Sequence, residues 1–102
     1  PVGYGAYAAV KEAIRSLTRA AAVEWGADGI RVNAIIPLAT SPGLETWIRE
    51  RPEESAAFLA TVPLGRPGEL EADIGRAVVW LCEGDVVTGV SLPVTGGEGL
   101  DA

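Results

Sequence analysis

The stretch GADGIRVNAIIP, residues 26–37, limits the folds open to this chain more than any other. The length and β-branched content of Ile30 to Pro37 suit a strand buried on both faces, which is the habit of parallel sheets. Just before it, from Tyr7 to Trp25, alanines together with Ile14, Leu17, Ala21 and Val23 recur at helical spacings with no proline among them. Gly26 to Gly29 closes that helix, because glycine tolerates the left-handed conformation found beyond helix ends. Helix, glycine turn and buried strand make one half of an α/β unit.

The rest of the chain supplies the other half. LATSPG, residues 38–43, reads as a loop, Leu44 to Arg51 as a short helix that Pro52 interrupts, and Glu53 to Thr61 as another. Three prolines from Pro52 to Pro67 make residues 38–68 the segment expected to be most mobile. A firmer helix is expected from Glu69 to Glu83, with Ile74, Ala77, Val78 and Leu81 on one stripe and Glu69, Glu71 and Asp73 at its positive end. Gly84 fits its C-cap, Val87 to Val94 reads as a second strand with its centre at Val90 to Val94, and Gly96 and Gly97 as a turn. Two strands joined through helices imply parallel pairing by a right-handed crossover. A two-stranded parallel sheet is a poor domain on its own, since it leaves a strand edge and helix faces uncovered. Residues 1–102 are therefore read as one partial domain.

The totals exclude several function classes. At 102 residues there is room for one core, and a chain of this length buries roughly two thirds of the surface its unfolded form exposes. A net charge of −6 and a pI near 4.5 argue against nucleic acid as a partner, because phosphate binders gather Lys and Arg on one face. No apolar run reaches the roughly 18 residues a membrane span needs. With no histidine and a single cysteine, disulfide frameworks, zinc sites and Ser-His or Cys-His nucleophiles are absent, and no metal site is expected. Cys82, in an apolar helical stretch, is expected to pack in the core. No basic-then-apolar leader opens the sequence, so the expected compartment is the cytoplasm.

One pair carries chemistry. Tyr7 stands four residues ahead of the chain's only lysine, Lys11. On a helix that spacing turns the side chains by only about 40° and advances them by about 6 Å, so both project from one face. A phenol titrates near pH 10, and general acid–base work at neutral pH asks for roughly 4 kcal/mol of preferential phenolate stabilisation. A fixed ammonium supplies part of that, and a cationic oxidised nicotinamide nearby would supply more. The plainer alternative is that Lys11 joins Arg15 and Arg19 in a solvated basic stripe, with Tyr7 a half-buried ring beside it.

In context, YAAVK on an alanine-rich helix, GIRVNAIIP, a loop with TSPG, PLGRPGELEADIGRAVVWLCE and VTGVSLPVTGG together resemble, in order, the C-terminal half of the classical short-chain dehydrogenase/reductases. The resemblance implies an α/β fold, the C-terminal half of a Rossmann-type doubly wound parallel sheet, and NAD(P)-dependent hydride transfer between nicotinamide and an alcohol or carbonyl. Tyr7 matches the family's catalytic tyrosine, and Lys11 the lysine that assists it and holds the nicotinamide ribose. Pro37, Leu38, Ala39, Thr40 and Ser41 match the loop that holds the nicotinamide carboxamide and adjacent phosphate, with Thr40 or Ser41 supplying the hydroxyl. Trp47 matches a position in the substrate lid and is a candidate wall of the substrate pocket.

Two departures stand out. Leu38 replaces a glycine of the family pattern, and its Cβ would hinder close approach of the backbone to a cofactor. The family's Gly-rich phosphate turn, Asn-Ala-Gly segment and catalytic serine all precede the tyrosine, whereas six residues precede Tyr7 here. The expected activity is thus that of a half-site, inactive alone and completed by an N-terminal half or an intact relative. A non-catalytic self-association or docking module is the alternative, and on either reading the chain is expected to form homo-oligomers.

Overall fold

The structure, a computed structural model, describes residues 4–98. Its elements are α1 (Tyr4–Trp25), a 3₁₀ turn (Gly26–Asp28), β1 (Ala34–Pro37), α2 (Pro42–Glu50), α3 (Pro52–Leu59), a π-helical turn (Leu70–Gly75), α4 (Arg76–Glu83) and β2 (Ser91–Val94). The class is the α/β arrangement read from the sequence, with β1 and β2 paired as two parallel strands. The described residues group into two compact units, one of residues 4–34 and 84–92 and one of 35–83 and 93–98.

In the first unit α1 runs uninterrupted for 22 residues, three residues earlier at its start than the sequence pattern indicates. Thr18 and Ala22 are its buried positions, and the Thr18 hydroxyl donates back to Ile14 O at 2.8 Å. The GADG turn closes as expected: Gly29 takes φ +73°, and its N–H donates to Gly26 O. Gly89 comes close to α1, since a Cβ there would lie 3.5 Å from the Ala22 Cβ.

The strand expected over Ile30–Ile36 is shorter than that. Only Ala34–Pro37 is regular, because side chains intervene in the pairing before it. Thr88 Oγ1 accepts the Val32 N–H at 3.1 Å. Asn33 bridges in both directions, its Nδ2 donating to Val87 O at 2.9 Å and its Oδ1 accepting the Val90 N–H at 3.0 Å. Arg31 Nη1 donates to Val87 O as well, at 3.1 Å. Backbone pairing is limited there to Gly89 N–H to Val32 O at 2.7 Å, and continues with Ala34 N–H to Val90 O at 2.8 Å. Residues 30–33 thus mix backbone and side-chain hydrogen bonds and form no regular ladder.

In the second unit Ser41 caps α2, its Oγ accepting the Leu44 N–H, with Pro42 in the first turn. Pro52 opens α3 after a one-residue break at Arg51, so the expected interruption is present. The helix expected over Glu69–Glu83 is not one α-helix. Glu69 O accepts both the Asp73 and the Ile74 N–H, which widens the first turn into a π-turn, and regular α geometry starts at Arg76. Ile74 and Ala77 of the expected stripe are half-buried and Leu81 is buried, while Val78 is exposed. Cys82 is exposed, contrary to the expected core position. Its neighbour Leu81 holds the inward place on α4, and one residue along a helix is a rotation of about 100°.

The Gly96–Gly97 turn locks the end of this unit. Leu64 N–H donates to Gly96 O at 2.9 Å, and Thr95, buried, accepts the Gly97 N–H and donates to Glu98 O. No helix among the described residues is long and apolar enough to cross a membrane.

Candidate active site

Tyr7 and Lys11 both lie on α1, in the first unit. Alanines at positions 8 and 9 leave the helix surface around them low, and Tyr7 is 54% exposed. Lys11 Nζ lies 5.1 Å from the centroid of the Tyr7 ring, within the reach of a cation–π contact. The one-turn spacing therefore does bring phenol and ammonium together, as the helical geometry requires. Arg15 forms an ion pair with Glu12 at 3.3 Å, so it belongs to a surface pair one turn further on.

In the second unit Pro37 ends β1, and Leu38, Ala39, Thr40 and Ser41 form the connection from it to α2. Their backbone is largely committed. Leu38 N–H donates to Val94 O at 3.0 Å and Leu38 O accepts the Gly68 N–H at 2.8 Å. Thr40 N–H donates to Gly68 O, and Ser41 N–H to Ala39 O, both at 2.8 Å. Leu38 needs no glycine-like conformation, since no non-glycine residue among those described has positive φ. Ser41 accepts from the N-terminus of α2. That leaves the Ala39 N–H, which the parallel bridge to Gly68 directs away from that partner, and the Thr40 hydroxyl. Thr40 also lines an open groove of ≈ 960 Å³ shared with Glu69, Leu70, Arg76 and Trp80.

Trp47, on α2, is half-buried and meets Phe58 of α3 edge-on, with ring centroids 5.6 Å apart. Its ring fastens two short helices of the 38–68 segment to each other.

Sequence reasoning missed Gly68, Arg66 and Asp73. Asp73 Oδ2 accepts the Glu69 N–H at 2.7 Å and pairs with Arg66 Nη1 at 2.9 Å. The Arg66 hydrogen bond, then the Glu69 N–H, hold the Asp73 carboxyl below the usual carboxylate range, and the same pair raises Arg66. An acid reaching back to the amide at the start of its helix is a capping pattern, displaced here by one residue because the turn is a π-turn.

The family model described as Enoyl-(Acyl carrier protein) reductase matches residues 2–98. The chain belongs to the short-chain dehydrogenase/reductase family. It is 46% identical over 100 residues to a 12alpha-hydroxysteroid dehydrogenase of Clostridium sp., covering 96% of this chain and 39% of that protein. An Agrobacterium tumefaciens protein provisionally assigned as a 2-deoxy-d-gluconate 3-dehydrogenase, solved with bound NADP, superposes with a TM-score of 0.80 at 39% identity, covering 89% of this chain and 37% of that one. An oxidoreductase of the short chain dehydrogenase/reductase family from Burkholderia thailandensis gives a TM-score of 0.79 at 30% identity, with 90% and 37% covered. The chain thus spans under two fifths of the length of these relatives.

Proposed function

We propose that this chain carries the acid–base half of an NAD(P)-dependent oxidoreductase that interconverts an alcohol and a carbonyl, and that residues outside this sequence contribute the dinucleotide-binding half. The observation that carries the reading is the Tyr7–Lys11 pair, a phenol with an ammonium 5.1 Å from its ring centroid on an accessible helix face. Tyr7 exchanges a proton with the substrate oxygen, and the Lys11 charge favours the phenolate that results. A bound nicotinamide supplies the hydride donor or acceptor.

Each unit, taken by itself, carries groups of the kind such a cofactor engages: in the first, Lys11 offers ammonium donors suited to ribose hydroxyls, and in the second, the Ala39 N–H and Thr40 hydroxyl are groups that a carboxamide or a phosphate could engage. Pro37, Leu38 and Ser41 belong to the same cofactor-binding loop; the Leu38 backbone also serves β2 and Gly68, and the Ser41 hydroxyl, which accepts the Leu44 N–H, keeps its own proton to donate. Trp47 walls the substrate side of the 38–68 segment. The relatives named above are dehydrogenases and oxidoreductases, which supports a small-molecule alcohol or carbonyl as substrate; the cytoplasm is the compartment proposed for it.

The chain alone is expected to give no dehydrogenase turnover, because hydride transfer needs a bound and oriented dinucleotide. Supplied with a compatible dinucleotide-binding half, it should turn over, and Tyr7→Phe, which keeps the ring but removes the transferable proton, should lower kcat by roughly 10²-fold to 10⁴-fold. A Tyr7→Phe variant as active as the parent would refute the assignment.

One observation favours a second reading. Val10, Ile14 and Leu17, on one side of α1, are 46–68% exposed, an apolar surface that suits self-association or docking onto an intact relative. Titration with NADPH separates the two, because an association module would oligomerise without responding to the cofactor.

A further inference from the structure

The Leu38–Thr40 segment is fastened on one side by a single residue. Gly68 donates its N–H to Leu38 O and accepts the Thr40 N–H, both at 2.8 Å, in an isolated parallel bridge centred on Ala39. Gly68 itself lies against Asp73, since a Cβ at position 68 would fall 3.2 Å from the Asp73 Cβ and 3.4 Å from Leu38 O. Of the residues on either side of Gly68, Glu69 is tied to the same carboxylate directly and Pro67 through Arg66. Asp73 Oδ2 takes the Glu69 N–H and Arg66 Nη1, and Arg66 Nη1 also donates to Pro67 O at 2.9 Å. One carboxylate therefore sets the path of residues 66–69, and that path sets the loop.

We propose that Asp73, clasped by Arg66, is a positioning residue that holds Gly68 in register with Leu38–Thr40 and so aims the Ala39 N–H and the Thr40 hydroxyl at the nicotinamide cofactor. The cofactor end of this inference rests on the function proposed above. The mechanical end does not, because it concerns hydrogen bonds within the chain. Reactive geometry tolerates errors well below an ångström, so a loop of this kind needs such outer support. The charged groups acting on the clasp are Arg66, Glu69 and Arg76.

The test is amide hydrogen exchange and NMR on the chain with Asp73→Ala and Asp73→Asn. Asp73→Ala should speed exchange at Gly68 and Thr40 about tenfold relative to Ala60 and Leu64, the size expected for losing hydrogen bonds to a charged group. Should Asp73→Ala unfold the whole chain, Asp73→Asn decides, because it keeps an oxygen for the Glu69 N–H and should show a smaller rise confined to the same two amides. In the parent, the Thr40 and Gly68 amide shifts should follow the Asp73 titration, and in Asp73→Asn they should not; a purely structural role would leave them uncoupled. Unchanged exchange at Thr40 and Gly68 would overturn the proposal. With the dinucleotide-binding half supplied, Asp73→Ala should weaken NADPH binding by a similar factor, and unchanged affinity beside a loosened Thr40 would overturn the cofactor-aiming role. If the parent ignores NADPH while its exchange behaves as expected, the loop coupling stands and the nicotinamide reading is what fails.

Discussion

Gly96 offers a quantitative check on how tightly the end of the second unit is locked, because two separate costs can be read off one position. Its φ is +67°, and an added Cβ would sit 2.9 Å from Arg66 O and 2.9 Å from Val62 Cγ1. Val62 is 3% exposed and cannot swing aside into solvent, and Arg66 O belongs to the backbone. The left-handed conformation alone costs a non-glycine residue about 1–2 kcal/mol, and overpacking adds about 1–3 kcal/mol. Gly96→Ala should therefore lose about 2–5 kcal/mol. Gly29 isolates the first cost, since its φ is +73° and nothing lies within 4 Å of its added Cβ, so Gly29→Ala should lose only about 1–2 kcal/mol. Gly5, in α1 with nothing within 4 Å, removes both, and Gly5→Ala should stabilise by about 0.4–1 kcal/mol. Urea unfolding reads these as midpoint shifts at constant m, with m of about 1 kcal/mol/M for a chain of this size. If Gly96→Ala costs no more than Gly29→Ala, the close packing of this turn on Val62 and Arg66 is wrong.

Ser41→Ala should cost about 1 kcal/mol of unfolding free energy by removing the acceptor for the Leu44 N–H, measured by the same urea titration. Acid should loosen the Arg66–Asp73 clasp. Asp73 is depressed in the folded chain, so its contribution is complete above the ordinary carboxylate pKa near 3.9 and is lost as pH falls through the lower folded value, and Asp73→Asn should erase that part of the stability profile between those two values. The apolar face of α1 predicts a homo-oligomer at micromolar concentration, which light scattering would contradict by finding a folded monomer.

Much of the architecture was legible in the sequence because local signals agree there. The periodicity of Tyr7–Trp25, the glycines of GADG and the proline at 52 each act through the backbone of a few neighbouring residues, and helix, turn and break stand where those signals put them. The i to i+4 spacing of Tyr7 and Lys11 likewise dictated that phenol and ammonium meet, since a single helix enforces it. What lay beyond the sequence depends on partners far along the chain. Ile30–Asn33 has the composition of a strand, yet the side chains of Asn33 and Thr88, 55 residues apart, take over part of its pairing. Cys82 has the neighbours of a core residue, but which side of α4 turns inward is settled by packing around Leu81. The tie from Asp73 through Gly68 to Thr40 joins segments about thirty residues apart, and no local pattern announces it. Local backbone preferences set the elements; the hydrogen bonds that shape the loop after β1 exist only once distant segments have been brought side by side.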